Sequence, residues 1–423
     1  MPSPDYALTE VRIVDVAAGT LIDHHAVVVS RGKIKAITGE AGLDPAIPRI
    51  ALGNRYLSPG LIDCHAHCFI GQFNDGRSVL PSEMTARAGR HLEGMLHRGF
   101  TTVRDAGGAD YGHKAALEKG LFKGPRLFVA GRILSQTGGH GDHRGRAETC
   151  SCAEALGSLT CIADGIAEVR KAVRENIRQG VDHIKIMAGG GVSSPGDKLV
   201  HPQYSLDEIA AIVDEAGLAG RYVMAHVYSD IGIQRAVSYG VRSIEHGNFL
   251  SEETAKLMRD KGAHLVPTLI TYEADARYGA GFGFTEENLA KNAEVLASGL
   301  RSLEIALASG VNVGYGTDLC WSPKTYQGDG LLIHQKVCGP AEALRHATVN
   351  NARIVRMEGK IGAIVPDAFA DFVIVEANPL DGLECFSKDQ NRVVAVIQSG
   401  QPVRDDNALM RSQGNSAKSI ARS

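Results

Sequence analysis

Gly220-Arg-Tyr-Val-Met-Ala-His226 and Gly240-Val-Arg-Ser-Ile-Glu-His246 are two copies of one phrase: a glycine after a helix-like stretch, a β-rich run, and a polar or small residue at its end. Glycine takes the left-handed conformation just past a helix at little cost, so each phrase reads as a helix stopping and a strand starting. The phrase recurs as Gly99-Phe-Thr-Thr-Val-Arg-Asp105, Gly180-Val-Asp-His-Ile-Lys185, Gly262-Ala-His-Leu-Val-Pro-Thr268 and Gly310-Val-Asn-Val-Gly-Tyr-Gly-Thr-Asp318. Leu61–His65 and Arg126–Gly131 raise the number of strand candidates between residues 60 and 318 to eight.

The segments between them carry helical periodicity. Ile209, Ile212, Val213 and Ala216 share one face behind a Ser205-Leu-Asp-Glu208 capping box, and Ile166, Val169, Val173 and Ile177 make a similar stripe. Eight β runs alternating with helices predict an α/β fold, a parallel (β/α)8 TIM barrel. A doubly wound open sheet is the weaker reading, because no Gly-x-Gly-x-x-Gly turn follows the first strand.

The flanks lack long helices. Ala26-Val-Val-Val-Ser30, an Arg31-Gly32 turn, Lys33-Ile-Lys-Ala-Ile37, Ala370-Asp-Phe-Val-Ile-Val-Glu376 and Val393-Val-Ala-Val-Ile-Gln-Ser-Gly400 predict a small β-sandwich built from both chain ends. The expected division is residues 1–58 with 359–405 as this sandwich, 59–358 as the barrel, and 406–423 as a polar, flexible tail.

The 423 residues carry 44% hydrophobic and 22% charged side chains, ordinary values for a globular chain. A net charge of −3 and a pI near 6.6 give no electrostatic footprint for nucleic acid or an anionic membrane. The start, Met1-Pro-Ser-Pro-Asp-Tyr-Ala-Leu8, has no basic-then-apolar pattern, and no apolar run is long enough to span a bilayer. Eight irregularly spaced cysteines suit free thiols in a reducing cytoplasm. Cys150-Ser-Cys152 with Cys161 has no second close pair to complete a zinc site.

Six potential metal ligands stand at or near the ends of the apolar runs: His65, His67, Lys185, His226, His246 and Asp318. Residues two apart on a strand face the same way, so His65 and His67 can reach one ion. His183, Lys185 and Met187 likewise share a face, expected to be the barrel interior. A lysine there either sits in a buried ion pair or, held neutral by desolvation, captures carbon dioxide as a carbamate that bridges two cations. On the second reading His226 and His246 hold the second ion, and Asp318 ligates the first while moving protons. Zinc suits histidine and carboxylate donors, with manganese or cobalt tolerated.

In this order the residues resemble the amidohydrolase superfamily, specifically its dinuclear members with a carboxylated lysine. The matching pieces are Pro59-Gly-Leu-Ile-Asp-Cys-His-Ala-His67, Lys185, His226, His246, Gly316-Thr-Asp318 and Lys360-Ile-Gly-Ala-Ile-Val-Pro-Asp-Ala-Phe-Ala-Asp371. A closer resemblance, to the prolidase-like dipeptidases and carboxypeptidases of that superfamily, rests on Gly99–Gly107, Gln136-Thr-Gly-Gly-His-Gly-Asp142, Ile184–Gly191, Ala225-His-Val-Tyr228 and Ile244-Glu-His-Gly-Asn248. It implies that His140 polarises the scissile carbonyl or contacts the substrate's carboxylate, that Tyr228 assists, and that the protein is a homo-oligomer. The bland alternatives are a loop histidine held by Asp142 and a tyrosine packing the barrel rim. Solvation explains His143 and Arg144 as well as carboxylate anchoring does, and His91 and His97, six apart on a helix, read as structural.

Two cations sharing a hydroxide, with Asp318 passing its proton to a departing nitrogen, suit amide hydrolysis best. The expected substrates are dipeptides or N-acyl amino acids, ochratoxin-like amides among them, with the Gly145–Cys161 loop shaping the pocket. The competing enzyme reading is a mononuclear deaminase or a cyclic amide hydrolase such as imidazolonepropionase, which Lys185 argues against. A non-catalytic barrel used for binding or assembly would be expected to have lost ligands, whereas all six positions are filled.

Overall fold

The computed structural model describes residues 5–70, 79–144, 147–148, 159–194, 196–320 and 322–410. Its first strands are β1 (Tyr6–Asp15), β2 (Thr20–Ser30), β3 (Lys33–Gly39) and β4 (Arg49–Pro59). Arg31 and Gly32, at φ 50° and 77°, form the two-residue turn that pairs Ser30 with Lys33. Left-handed backbone at both positions matches the twist of the flanking strands.

One residue after β4 the chain enters the barrel through β5 (Leu61–Ala66), followed by α1 (Pro81–His97), β6 (Phe100–Asp105), α2 (Tyr111–Glu118) and β7 (Arg126–Phe128). There the expected alternation needs one correction. The third stave bends at Gly131, φ 66°, and continues as β8 (Ile133–Ser135); β7 pairs with β6, whereas β8 pairs with the fourth stave. A short β9 (Thr160–Ile162), unforeseen in the sequence, runs beside β8.

The remaining units are regular: α3 (Gly165–Arg178), β10 (Ile184–Met187), α4 (Leu206–Leu218), β11 (Val223–Val227), α5 (Asp230–Ser238), β12 (Ser243–His246), α6 (Glu252–Lys261), β13 (His264–Val266), α7 (Leu269–Phe282), α8 (Glu286–Ala308) and β14 (Asn312–Val313). Strands β10 to β14 pair in parallel, in sequence order. The reciprocal Ser205–Glu208 capping box forms at the start of α4. Ile209, Ile212 and Ala216 are buried beneath it, each such side chain contributing about 1.5–3 kcal/mol for the larger ones. In α3, Val169 and Val173 are buried, but Ile166 is 45% exposed because the first turn overhangs the core.

Barrel closure joins the first stave to the last. Cys64 N–H donates to the Tyr315 carbonyl at 2.8 Å, and Thr317 and Asp318 N–H both donate to the His65 carbonyl, at 3.0 and 2.7 Å. Asp63 is fully buried at this seam and accepts from His65 N–H, Thr317 N–H, the Thr317 hydroxyl and Gln327 Nε2.

After α9 (Gly330–Arg345) and α10 (Asn351–Ile354) the chain returns to the first sheet as β15 (Phe372–Val375), β16 (Val393–Gln398) and β17 (Gln401–Asp405). The order β17-β16-β15-β4-β1-β2-β3 interleaves the two ends. This is one hydrogen-bonded sheet that curls over itself: Ile34 N–H donates to Ala368, and Ala370 N–H donates to Gly32. Phe372 and Ile374 point into the enclosed layer with Leu8, Ile13 and Val29, while Val373 and Val375 pack outward on Leu92 and Phe100 of the barrel.

Of the expected tail, residues 411–423 lie outside the described residues. Leu409 and Met410 pack against the sheet's enclosed layer. Cys150 and Cys152 also lie outside them, and the six described cysteines are free thiols. Among the described residues no helix is long and apolar enough to cross a membrane.

Candidate metal centre

Parallel strands put all their carboxyl ends on one side, and there a cleft of about 690 Å³ is lined by His65, His67, His140, Lys185, His226, Tyr228, His246 and Asp318. All eight residues singled out in the sequence meet in this one place. His246 and Asp318 reach it through left-handed backbone, φ 73° and 50°, which histidine and aspartate adopt more readily than most residues but which still costs about 1–3 kcal/mol each. Lys185 sits deeper, because Met187 rather than Lys185 is the register partner of His226.

Each histidine has one ring nitrogen tied to the surrounding protein. His67 Nδ1 donates to the Gly107 carbonyl at 2.9 Å, His226 Nε2 to the Gly190 carbonyl at 3.1 Å, and His65 Nδ1 to Glu245 at 2.7 Å. Thr268 holds His246 Nδ1 at 2.7 Å. Burial lowers the pKa of all four rings, that of His67 to about 3. A neutral ring that donates on one side offers a lone pair on the other, the form a metal takes.

Asp318 Oδ1 lies 3.5 Å from His65 Nε2 and 3.3 Å from His67 Nε2. Desolvation pushes its pKa up to about 6. Ligand atoms of His65, His246 and Asp318 lie within 4.8 Å of one another, as do those of His67, Asp318 and Cys320. His246 thus stands with Asp318 as well as near His226, whose ring centroid is 4.5 Å from its own. The spacing therefore does not divide the ligands into the two sets expected from the sequence.

Lys185 is 1% exposed and has no hydrogen bond or ion pair among the described residues. Burial lowers its pKa to about 8, which makes the free amine accessible near neutrality. The nearby carboxylate of Glu245 is already bound by Arg104 Nη2 at 2.9 Å and by Ser243 and His65. The ion-pair alternative for Lys185 therefore finds no partner among the described residues. His183, one pleat below, is instead buried and donates to the Asp105 carbonyl at 3.1 Å.

On the opposite wall His140 stacks on His226 with ring centroids 4.2 Å apart. Its Nδ1 meets Ser194 Oγ at 2.7 Å, and Ser194 donates to Asp197 at 2.5 Å, a carboxylate that Lys291 approaches at 3.6 Å. Asp142, the partner expected of a loop histidine, binds Arg144 at 2.7 Å instead, which accounts for Arg144 without any substrate. His143 is exposed at the cleft mouth. Most of the Gly145–Cys161 loop lies outside the described residues; Leu159 lines the cleft.

A Cβ at Gly191 would stand 2.0 Å from His140 Cε1. Gly191→Ala should displace that ring and lower kcat/KM by about a hundredfold, the scale of an ångström misplacement, with metal content unchanged. Steady-state kinetics beside elemental analysis checks this, and unchanged kinetics would remove His140 from the reaction.

Several site residues escaped the sequence reading. Arg104, Glu245, Thr268, Ser194 and Asp197 act through partners far away in the chain. Asp275, with its pKa pushed up to about 7 by burial, lines the cleft and accepts from Ser322. Cys320 carried a local signal, its place two residues after Asp318.

Residues 56–403 match the Amidohydrolase family. The chain is 32% identical to ochratoxinase from Aspergillus niger, over 93% of this chain and 87% of that protein. A solved prolidase complexed with N-methylphosphonate-L-proline is 43% identical and superposes with a TM-score of 0.91, covering 95% of this chain and 100% of that one. A Xaa-Pro dipeptidase with bound methionine is 27% identical, with a TM-score of 0.85 over 94% and 99% of the two chains.

Proposed function

The chain belongs to the amidohydrolase family and is a hydrolase of amide C–N bonds, and within that frame we propose that it cleaves dipeptides or N-acyl amino acids at a two-metal site. The barrel, residues 59–358, carries the reaction. The observation that supports two metals most is Lys185: a buried amine with no hydrogen bond or ion pair among the described residues, held among four histidines and an aspartate. Carboxylated by carbon dioxide, with its proton lost to solvent, it would supply the negative charge that two cations need. As the resemblance implies, His65, His67 and Asp318 would hold one ion and His226 and His246 the other, with His246 standing within reach of both.

Two bound divalent cations, zinc by the donor set, would polarise the amide carbonyl and make water a nucleophile at neutral pH. Asp318 then takes the proton released by the attacking water and delivers it to the leaving nitrogen. Its Oδ1, beside His65 and His67, faces the cleft where that transfer is needed. Ser194 spends its proton on Asp197, so a neutral His140 carries its own proton on Nδ1 and meets the substrate through a lone pair on Nε2. Burial holds that ring neutral, its pKa lowered to about 3, so it orients the substrate as a hydrogen-bond acceptor, with Asp197 fixing Ser194 behind it. Tyr228, buried and 5.1 Å from the His246 ring, has its hydroxyl kept protonated by burial and donates to the substrate's carboxylate.

The likeness to ochratoxinase and to prolidases supports substrates whose leaving group is an amino acid. A panel of Xaa-Pro and Xaa-Arg dipeptides and N-acyl amino acids, assayed with zinc and bicarbonate, tests this. Hydrolysis should require the free C-terminal carboxylate, with the amidated analogues turned over at least about tenfold more slowly, the scale of one lost charged hydrogen bond. A metal-replete enzyme that hydrolyses none of the panel would overturn the reading.

A further inference from the structure

Cys320 closes the segment Gly316-Thr-Asp-Leu-Cys320 and lines the same cleft as the proposed ligands. Its Sγ lies 3.0 Å from Asp318 Oδ1, which is itself 3.3 Å from His67 Nε2. One nitrogen, one oxygen and one sulfur donor thus fall within 4.8 Å of one another. The loop holds them there. Cys320 N–H donates to the Asp318 carbonyl at 2.7 Å, Thr271 Oγ1 to that same carbonyl at 2.9 Å, and Lys324 Nζ to the carbonyls of Leu319 and Cys320. Lys185, buried and without a hydrogen bond or ion pair among the described residues, lines the same pocket from below.

We propose that Cys320 is a further metal ligand, binding as thiolate the cation that His67 and Asp318 hold. Zinc expanded beyond four ligands, with bonds of about 2.3 Å to sulfur and 2.0–2.2 Å to nitrogen and oxygen and neighbouring bonds roughly 90–110° apart, spaces its ligand atoms about 2.9–3.6 Å apart. The His67–Asp318 spacing of 3.3 Å and the Cys320–Asp318 spacing of 3.0 Å both fall in that range. The thiol proton leaves to solvent when the metal arrives. A soft sulfur donor in a nitrogen and oxygen site tilts its choice toward zinc, cobalt or cadmium and away from manganese and magnesium.

The proposal rests on the preceding section only for the presence of a metal. The test is to load the purified full chain with Co²⁺, count cobalt by elemental analysis and record the near-ultraviolet spectrum. A thiolate-to-cobalt charge-transfer band is expected in the wild type and in Cys385→Ser, whose thiol lies away from the cleft. It should be lost in Cys320→Ser and Cys320→Ala at undiminished cobalt content. Wild-type cobalt enzyme without the band overturns the assignment regardless of how the variants fold, and so does a band that survives in Cys320→Ser. Failure to bind any cobalt would overturn this and the two-metal hydrolase alike, whereas cobalt bound without the band leaves the hydrolase standing.

Discussion

Lys185→Ala should lose about a thousandfold or more in kcat/KM, a transition-state loss of about 4 kcal/mol, and its bound metal should fall from two ions per chain toward one. The expectation follows from charge. Two cations placed close together repel, and His65, His67, His226 and His246 are neutral rings. Asp318 and the Cys320 thiolate bring their negative charges to the same ion, and Glu245 is committed to Arg104, so the other ion has no anionic ligand of its own. Without the carbamate there is too little anion to hold the pair. Elemental analysis and kinetics on one preparation distinguish the outcomes. A variant that keeps two metals and wild-type turnover would refute the bridging role, and one tightly held ion with full activity would point to a mononuclear enzyme.

Asp318→Asn should fold, bind metal more weakly and lose about 10²–10⁴-fold in kcat, the range for a removed acid-base group. The loss should depend on the leaving group. An amine leaves poorly without a proton, whereas the alkoxide of an ester leaves with less help, so the matching ester should suffer a smaller drop. Equal losses on amide and ester would assign Asp318 to metal binding alone. Wild-type turnover on the amide would remove the proton-shuttle role.

The repeated glycine-to-strand phrases made the barrel legible, because in a parallel sheet each strand is buried on both faces and reads as a short apolar run. The bend at Gly131 was not legible. A glycine that starts a strand and one that folds a strand leave the same mark in a single sequence. Six ligands could be listed because each ended such a run, and their meeting in one cleft follows from strand direction. What orients them was hidden. The Arg104–Glu245–His65 chain and the His140–Ser194–Asp197 chain join residues from separate staves and loops, with no periodicity to betray them. Cys320 was readable in principle, since it stands two positions after Asp318, but an aspartate-x-cysteine pair is too common to be noticed without the seam around it.

That seam also bears on how the polymer is held. Asp63 and Thr317 are 254 positions apart, and bringing such distant points together costs a free chain about 5 kcal/mol of configurational entropy. The pairing of Pro59 with Phe372 ties the same loop just outside the barrel. The sheet made from both chain ends is therefore a clasp. By confining the first and last staves it lets His65 and Asp318 wait side by side, so an arriving cation need only bind, with little further chain to gather.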